Sequence, residues 1–190
     1  MQAGIFIHPK AIVDEGVHIG ANTRIWANAH ILKGAILGAN CNIADNVFIE
    51  GGARIGDNVT IKNNCAIWNG VIIEDEVFIG PSVIFTNDRF PRSPRMEEVR
   101  DRYQNEENWL TKTHVQRGVS IGAGAIILSN IVIEEYSFIA AGSLLSKSTK
   151  PHSLMLGSPA VFHGYVCTCG YRLEIQECPK CKKIYLNLIN

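Results

Sequence analysis

An aliphatic residue recurs every six positions along most of this chain. The series runs Ile7, Val13, Ile19, Ile25, Ile31, Leu37, Ile43, Ile49, Ile55, Ile61, Ile67, Ile73 and Ile79, closes with Phe85, and resumes at Ile121, Ile127, Ile133, Ile139 and Leu145. Neither the 3.6-residue period of a helix nor the alternation of a strand produces this spacing, so the pattern is that of an internal repeat. Four residues after each aliphatic stands a small or β-branched one, as at Ala29, Ala35, Cys41, Val47, Ala53, Val59 and Cys65. Both positions are expected to face inward. Between them come Asn22, Asn28, Asn40, Asn46, Asn58 and Asn64 or Gly16, Gly34, Gly52 and Gly70, residues that tolerate positive φ, so each unit is a short strand ending in a sharp turn.

Those four glycines stand 18 apart, and the same step leads through Asp88 and Glu106 to Gly124 and Gly142. Three units therefore make one coil. The expectation is an all-β fold: a triangular parallel solenoid of 18 residues per coil, about six coils tall, each coil pairing with its neighbours at roughly 4.8 Å. Cys41 and Cys65 fall in the inward small position, where a thiol acts as a small core hydrophobe.

Residues 86–118 break the repeat with prolines and a dense run of charge. A loop this long inside a compact domain is usually functional, and on a smooth solenoid wall a projecting arm is what could wrap a neighbouring subunit and create a cleft. The 18-residue step places Asn69 one coil below Asn87, Trp68 below Thr86 and Glu50 below Trp68. Trp68 and Trp26 face outward, either into a subunit interface or against a ligand ring. His18, His30 and His114 also point outward as surface groups or candidate bases, with His114 assigned to the arm.

The 190 residues are 46% hydrophobic and 19% charged, with Lys+Arg 18 against Asp+Glu 18, the make-up of one soluble domain. That neutrality removes the basic footprint of a nucleic-acid binder. No stretch approaches the ~20 apolar residues of a membrane span, and the N-terminus lacks a leader pattern, so no membrane insertion and a cytoplasmic location are expected. Six cysteines in a reducing compartment point to buried thiols or a metal site. Four of them, Cys167, Cys169, Cys178 and Cys181, form a C-x-C and a C-x2-C pair close to a zinc ribbon but one residue short in the first pair. The organisation read from this is a repeat domain over 1–165 and a small tail over 166–190, with a structural zinc, a metal-free tail or disulfides as the alternatives for the thiols.

The units typified by Ile19-Gly20-Ala21-Asn22-Thr23-Arg24 resemble those of the hexapeptide-repeat acyltransferases, whose fold is a left-handed β-helix. The likeness covers residues 7 to about 165. Ile121-Gly122-Ala123-Gly124-Ala125, Ala140-Ala141-Gly142-Ser143 and Leu156-Gly157-Ser158-Pro159-Ala160 look like that family's CoA-binding end. The run Phe85-Thr86-Asn87-Asp88-Arg89-Phe90-Pro91-Arg92-Ser93 is similar to the loop of N-acetyltransferases that modify nucleotide-linked 3-amino sugars for surface polysaccharide. The resemblance implies acetyl-CoA as cosubstrate, a UDP- or dTDP-linked amino sugar as acceptor, and a homotrimer with its clefts between subunits. It further implies Asn87 and Asp88 as catalytic residues, with Trp68, Asn69, Arg89 and Arg92 on the acceptor. Ala123, Ala141, Gly142, Lys147, Lys150 and Ser158 would hold CoA. Two other functions fit the same prism: a trimeric metal lyase of the carbonic anhydrase type, which needs three convergent histidines, and a noncatalytic scaffold.

Overall fold

The computed structural model describes residues 4–186 and 188. The chain winds as a parallel solenoid with three faces, made of sheets of nine, seven and six strands. As far as Leu144–Leu145, strands follow one another around the faces in strict rotation. Neighbours in a sheet are one turn apart, so Phe6 pairs with Arg24, Ile12 with His30 and His18 with Ile36, at the predicted step of 18. Eight of the nine strands of the first face are parallel, one per turn, and Ala160–Tyr165 closes that face as an antiparallel hairpin with Ser153–Gly157.

The inward series forms the core as read from the sequence. On the first face Ile25, Ile43, Ile61, Ile79, Ile121 and Ile139 stack as one wholly buried ladder. Each contributes about 1.5–3 kcal/mol by leaving water. Ala29, Ala35, Cys41, Val47, Ala53, Val59 and Cys65 fill the second inward position, and burial pushes both thiols up from their ordinary pKa. The ladder reaches Ile7 in the lowest described coil, where it lies exposed.

Three features differ from the sequence reading. The solenoid makes about eight turns, not about six: its first face carries eight parallel rungs, and two strands, Thr113–Val115 and Ser153–Gly157, lie outside the aliphatic series. The break in the repeat is therefore shorter than 86–118: Ile84 pairs with Ile126 and Ile73 with Val115, so the strand Thr113–Val115 already belongs to the third face. Finally, the glycine column does not pass through the break. Gly124 donates its N–H to Pro81 at 2.9 Å and lies above the turn of Ser82, a corner away from Gly70. An insertion need not contain a whole number of coils, so a step of 18 carried across it loses the corner.

Positive φ marks the corners. Asn22, Asn28, Asn40, Asn46, Asn58 and Asn64 have φ between 56° and 63°, where an Asn side chain costs least after glycine. Glu76, Ser82 and Tyr136 adopt the same conformation without a favourable side chain, held there by the coils on either side.

Candidate functional site at the base of the arm

The corner between the second and third faces carries the arm. Asn69 and Asn87 stand there one turn apart, at the step of 18 read from the sequence, and Glu50 reaches up from the turn below, where it underlies Trp68. The Asn69 N–H donates to Glu50 Oε2 at 2.8 Å, and Asn87 Nδ2 donates to the Asn69 carbonyl at 3.3 Å. The Asn87 carbonyl accepts from the N–H and hydroxyl of Thr111, which ties the arm's return to its departure. Asn87 Oδ1 is thus the acceptor left available on this side chain. Trp68 donates its indole N–H to the Phe85 carbonyl at 3.0 Å and tilts against Phe48 at 5.6 Å, so it is braced in the wall with one edge outward.

Asp88 is the hub of the arm. One carboxylate oxygen accepts from the Phe90 N–H at 2.8 Å and from the Arg102 guanidinium, and the other accepts from the Tyr103 hydroxyl at 2.6 Å. Arg102 also donates to the Phe90 carbonyl at 2.7 Å, and Tyr103 accepts from the Arg92 N–H at 2.9 Å and packs on Trp109. With its oxygens so engaged, Asp88 fastens the arm, and three donors occupy most of what its carboxylate can accept. Glu106 Oε1 accepts from Asn69 Nδ2 at 3.1 Å, and no functional role for Arg102, Tyr103 or Glu106 follows from the sequence. They sit in an aperiodic charged run, where no spacing ties them to Asp88 or Asn69.

The arm does not lie flat. A cleft of about 420 Å³ opens between its base and the two coils above, lined by Thr86, Asp88, Arg89, Leu128, Ser129 and Asn130. A second hollow under the arm is lined by Arg89, Arg102, Trp109 and Asn130. Arg89 faces both, whereas Arg92 is exposed and its guanidinium turns back on the Pro91 carbonyl.

The residues assigned to CoA lie on all three corners of one chain. Ala123, Ala141 and Gly142 are exposed at the corner between the first and second faces, where Gly142 donates to the Ala123 carbonyl. Lys147 stands two turns above Asn87 at the arm's own corner. Lys150 is on the remaining edge, its carbonyl accepting from Ser137 Oγ, and Ser158 is exposed in the hairpin turn. Within a single chain these groups do not converge.

His114 is on the third face, above Ile72 and two residues past the arm's return, not on the arm itself. Its Nε2 lies 2.7 Å from Glu74 Oε1, with both side chains over a third exposed. A carboxylate in that position keeps the proton on Nε2 and leaves Nδ1 as the acceptor, the arrangement of an oriented base. His30 has a looser counterpart in Asp14 at 3.6 Å. The histidines are otherwise dispersed: His18 and His114 share the third face but stand four strand steps apart, and His30 is on the second. Among the described residues, the metal-binding grouping is that of Cys167, Cys169, Cys178 and Cys181. No helix among them is long and apolar enough to cross a membrane.

A model of the bacterial transferase hexapeptide, six repeats long, matches residues 16–51 and 52–87. The dTDP-3-amino-3,6-dideoxy-α-D-galactopyranose 3-N-acetyltransferase of Aneurinibacillus thermoaerophilus is 46% identical over 77 residues, 39% of this chain and 40% of that protein. The galactoside O-acetyltransferase of Lactococcus lactis is 29% identical over 85 residues, 45% of this chain and 38% of that protein. The chain thus spans about two fifths of the length of the curated relatives it matches. Among solved structures, the acetyltransferase domain of PglB from Neisseria gonorrhoeae, in complex with acetyl coenzyme A, superposes with a TM-score of 0.55. That match covers 85% of this chain and 58% of that one at 15% identity, a likeness of fold. The six-residue repeat runs through the solenoid, and the transferase repeat model matches it twice in succession over residues 16–87.

Proposed function

We propose that the protein is an acetyl-CoA-dependent N-acetyltransferase that acetylates the 3-amino group of a nucleotide-linked amino sugar, in the assembly of surface polysaccharide. The observation that carries this is the ordered arm, which converts an otherwise smooth wall into a cleft lined by Thr86, Asp88 and Arg89, the residues that flank Asn87 in the chain. The stretch shared with the Aneurinibacillus enzyme, which acts on a dTDP-linked 3-amino sugar by its name, supports the choice of acceptor.

In this mechanism the sugar amine attacks the thioester carbonyl. A C–N bond forms, the tetrahedral oxyanion collapses, the C–S bond breaks, and CoA leaves as the thiolate. An amine with a pKa near 7.7–8.0 is partly neutral at physiological pH, so positioning supplies much of the catalysis. Asn87 Oδ1 orients the amine, and a backbone N–H near Gly122 to Gly124 or Ala141 to Gly142 meets the oxyanion. His114, aligned by Glu74, receives the proton shed by the new amide nitrogen. Arg89 provides a guanidinium for the diphosphate or an acceptor carboxylate, and Trp68 and Asn69 complete the acceptor side.

Because the groups for CoA other than Lys147 stand away from the acceptor's corner, a complete site needs the corner of one chain to face that of another, as in a homotrimer. Exposed apolar side chains on the outside of the second face, Ile12, Ile84 and Ile126, offer the surface for that contact. The test is release of free thiol from acetyl-CoA with a panel of UDP- and dTDP-linked 3-amino sugars beside their 3-hydroxy counterparts. Turnover with the amines alone is expected. Silence across the amines, or equal turnover of the hydroxy sugars, refutes the proposal.

A further inference from the structure

The segment after the closing hairpin has little with which to fold. Its buried cluster is Cys167, Leu173 and Cys178, with Tyr165, Tyr185 and Leu188 packed against it, and its backbone is joined by isolated bridges such as Val166 with Arg172 and Glu177 with Ile184. So small a core does not offset the entropy of ordering the chain, and segments of this kind are held by a staple. The cysteines are free thiols.

Their arrangement is specific. The four Sγ atoms lie within 4.8 Å of one another, with Cys167 and Cys181 at 3.4 Å and Cys169 and Cys178 at 3.5 Å. In a tetrahedral tetrathiolate site with metal–sulfur bonds of about 2.3 Å, the sulfurs stand about 3.8 Å apart. Each pair also forms a turn whose amide points at the first sulfur. The Cys169 N–H approaches Cys167 Sγ and the Cys181 N–H approaches Cys178 Sγ, both at 3.5 Å. Tyr185 adds its hydroxyl at 3.2 Å from Cys167 Sγ while accepting from the Thr168 N–H at 2.9 Å. Donors gathered on sulfur suit thiolates bound to a cation, and an all-sulfur donor set selects zinc over the hard, oxygen-seeking metals.

We infer that Cys167, Cys169, Cys178 and Cys181 bind one Zn(II) in a closed site, and that this metal clamps the end of the solenoid through Tyr185 and His152. On binding, each thiol gives its proton to solvent and its sulfur lone pair to the metal, with no change of oxidation state. The link to the solenoid is a column of rings. Tyr185 packs edge-on against His152 at 5.0 Å, and His152 stacks at 5.1 Å on Tyr136, one turn below at the same corner. His152 and Val166 exchange hydrogen bonds besides: the Val166 N–H donates to the His152 carbonyl and the Val166 carbonyl accepts from His152 Nδ1, each at 2.8 Å. Four sulfur ligands leave no open position, so the metal takes no part in acetyl transfer.

The experiment is elemental analysis of the full chain, purified without a histidine tag, followed by zinc release with a mercurial reagent and a visible metallochromic dye. About one zinc per chain is expected, released as four thiols are titrated. Cys178→Ser should lose most of it, and Tyr185→Ala should keep the zinc while lowering Tm. Zinc at under about a tenth of an equivalent in the native chain, iron in its place, or disulfides in the intact mass would overturn the site. An unchanged Tm in zinc-replete Tyr185→Ala would overturn the clamp. Because none of these readouts involves turnover, the result stands apart from the proposed acetyl transfer.

Discussion

Replacing Asp88 by Asn separates a fastening role from a catalytic one. The carboxylate side chain is 11% exposed and receives the Phe90 amide, the Arg102 guanidinium, itself 26% exposed, and the Tyr103 hydroxyl. The carboxamide keeps one acceptor oxygen, presents a donor where the other stood, and leaves Arg102 without its ion. A hydrogen bond to a charged group contributes about 1.5–3 kcal/mol, and after discounting for the exposure of Arg102 the arm should lose about 2 kcal/mol. At about 1.4 kcal/mol per factor of ten, its open population rises about 30-fold. The three short 3-10 turns of the arm, Glu97–Val99, Asp101–Gln104 and Glu106–Asn108, bury no residue, so the melting of the solenoid should hardly move. Limited trypsin digestion reads the difference, because Arg92, Arg95 and Arg100 are cleavable once the arm opens and the cleavage rate then follows the open population. Tyr103→Phe, which removes one of the donors, should give the same cleavage pattern with a smaller increase. If Asp88→Asn is cut as slowly as the wild type while kcat for acetyl transfer falls and KM stays constant, Asp88 acts on the reacting atoms and the fastening account fails.

Two further outcomes follow from the solenoid's corners. A Cβ on Gly38 would stand 2.5 Å from the carbonyl of Gly56 in the next coil, so Gly38→Ala must spread two backbones and should lower Tm by several degrees, about 2–4 °C per kcal/mol. Gly124→Ala meets nothing within 4 Å and loses only the preference for φ of 66°, about 1 kcal/mol, so a thermal melt in which it falls further than Gly38→Ala would refute this ranking. His152 is held below the ordinary histidine pKa, chiefly by burial against a raising effect of the Val166 carbonyl and Glu135, with Lys183 adding to the lowering. Above pH 6.5 neither state is protonated there; below it the unfolded chain takes up a proton that the folded chain resists, so stability should fall by up to about 1.4 kcal/mol per pH unit until the folded pKa is reached. Asn tolerates the φ of 60° at this position, so His152→Asn should flatten the melting temperature between about pH 7 and 5, and an unchanged slope would exclude His152 as its source.

What could be read from the amino-acid order is whatever the repeat makes local. An inward aliphatic every six residues and a turn residue between is a rule each coil obeys by itself, so the stacked ladders of Ile25 to Ile79, the positive-φ asparagines, and the superposition of Asn69 and Asn87 were all legible before any coordinates. The four tail cysteines were legible for the same reason, since paired thiols two or three residues apart announce themselves by spacing. The arm was not. Between Phe85 and Thr113 no period constrains the chain, and the closeness of Arg102 and Tyr103 to Asp88, or of Glu106 to Asn69, arises from a chain reversal whose length is not a multiple of the coil. That same length moved Gly124 and Gly142 to another corner, set His114 on a face beside Glu74, and placed a strand where an insertion was expected. A periodic contact is written once and repeated by every coil, whereas these contacts each depend on a single closure of the loop, and that closure is settled only when the coils on either side have packed.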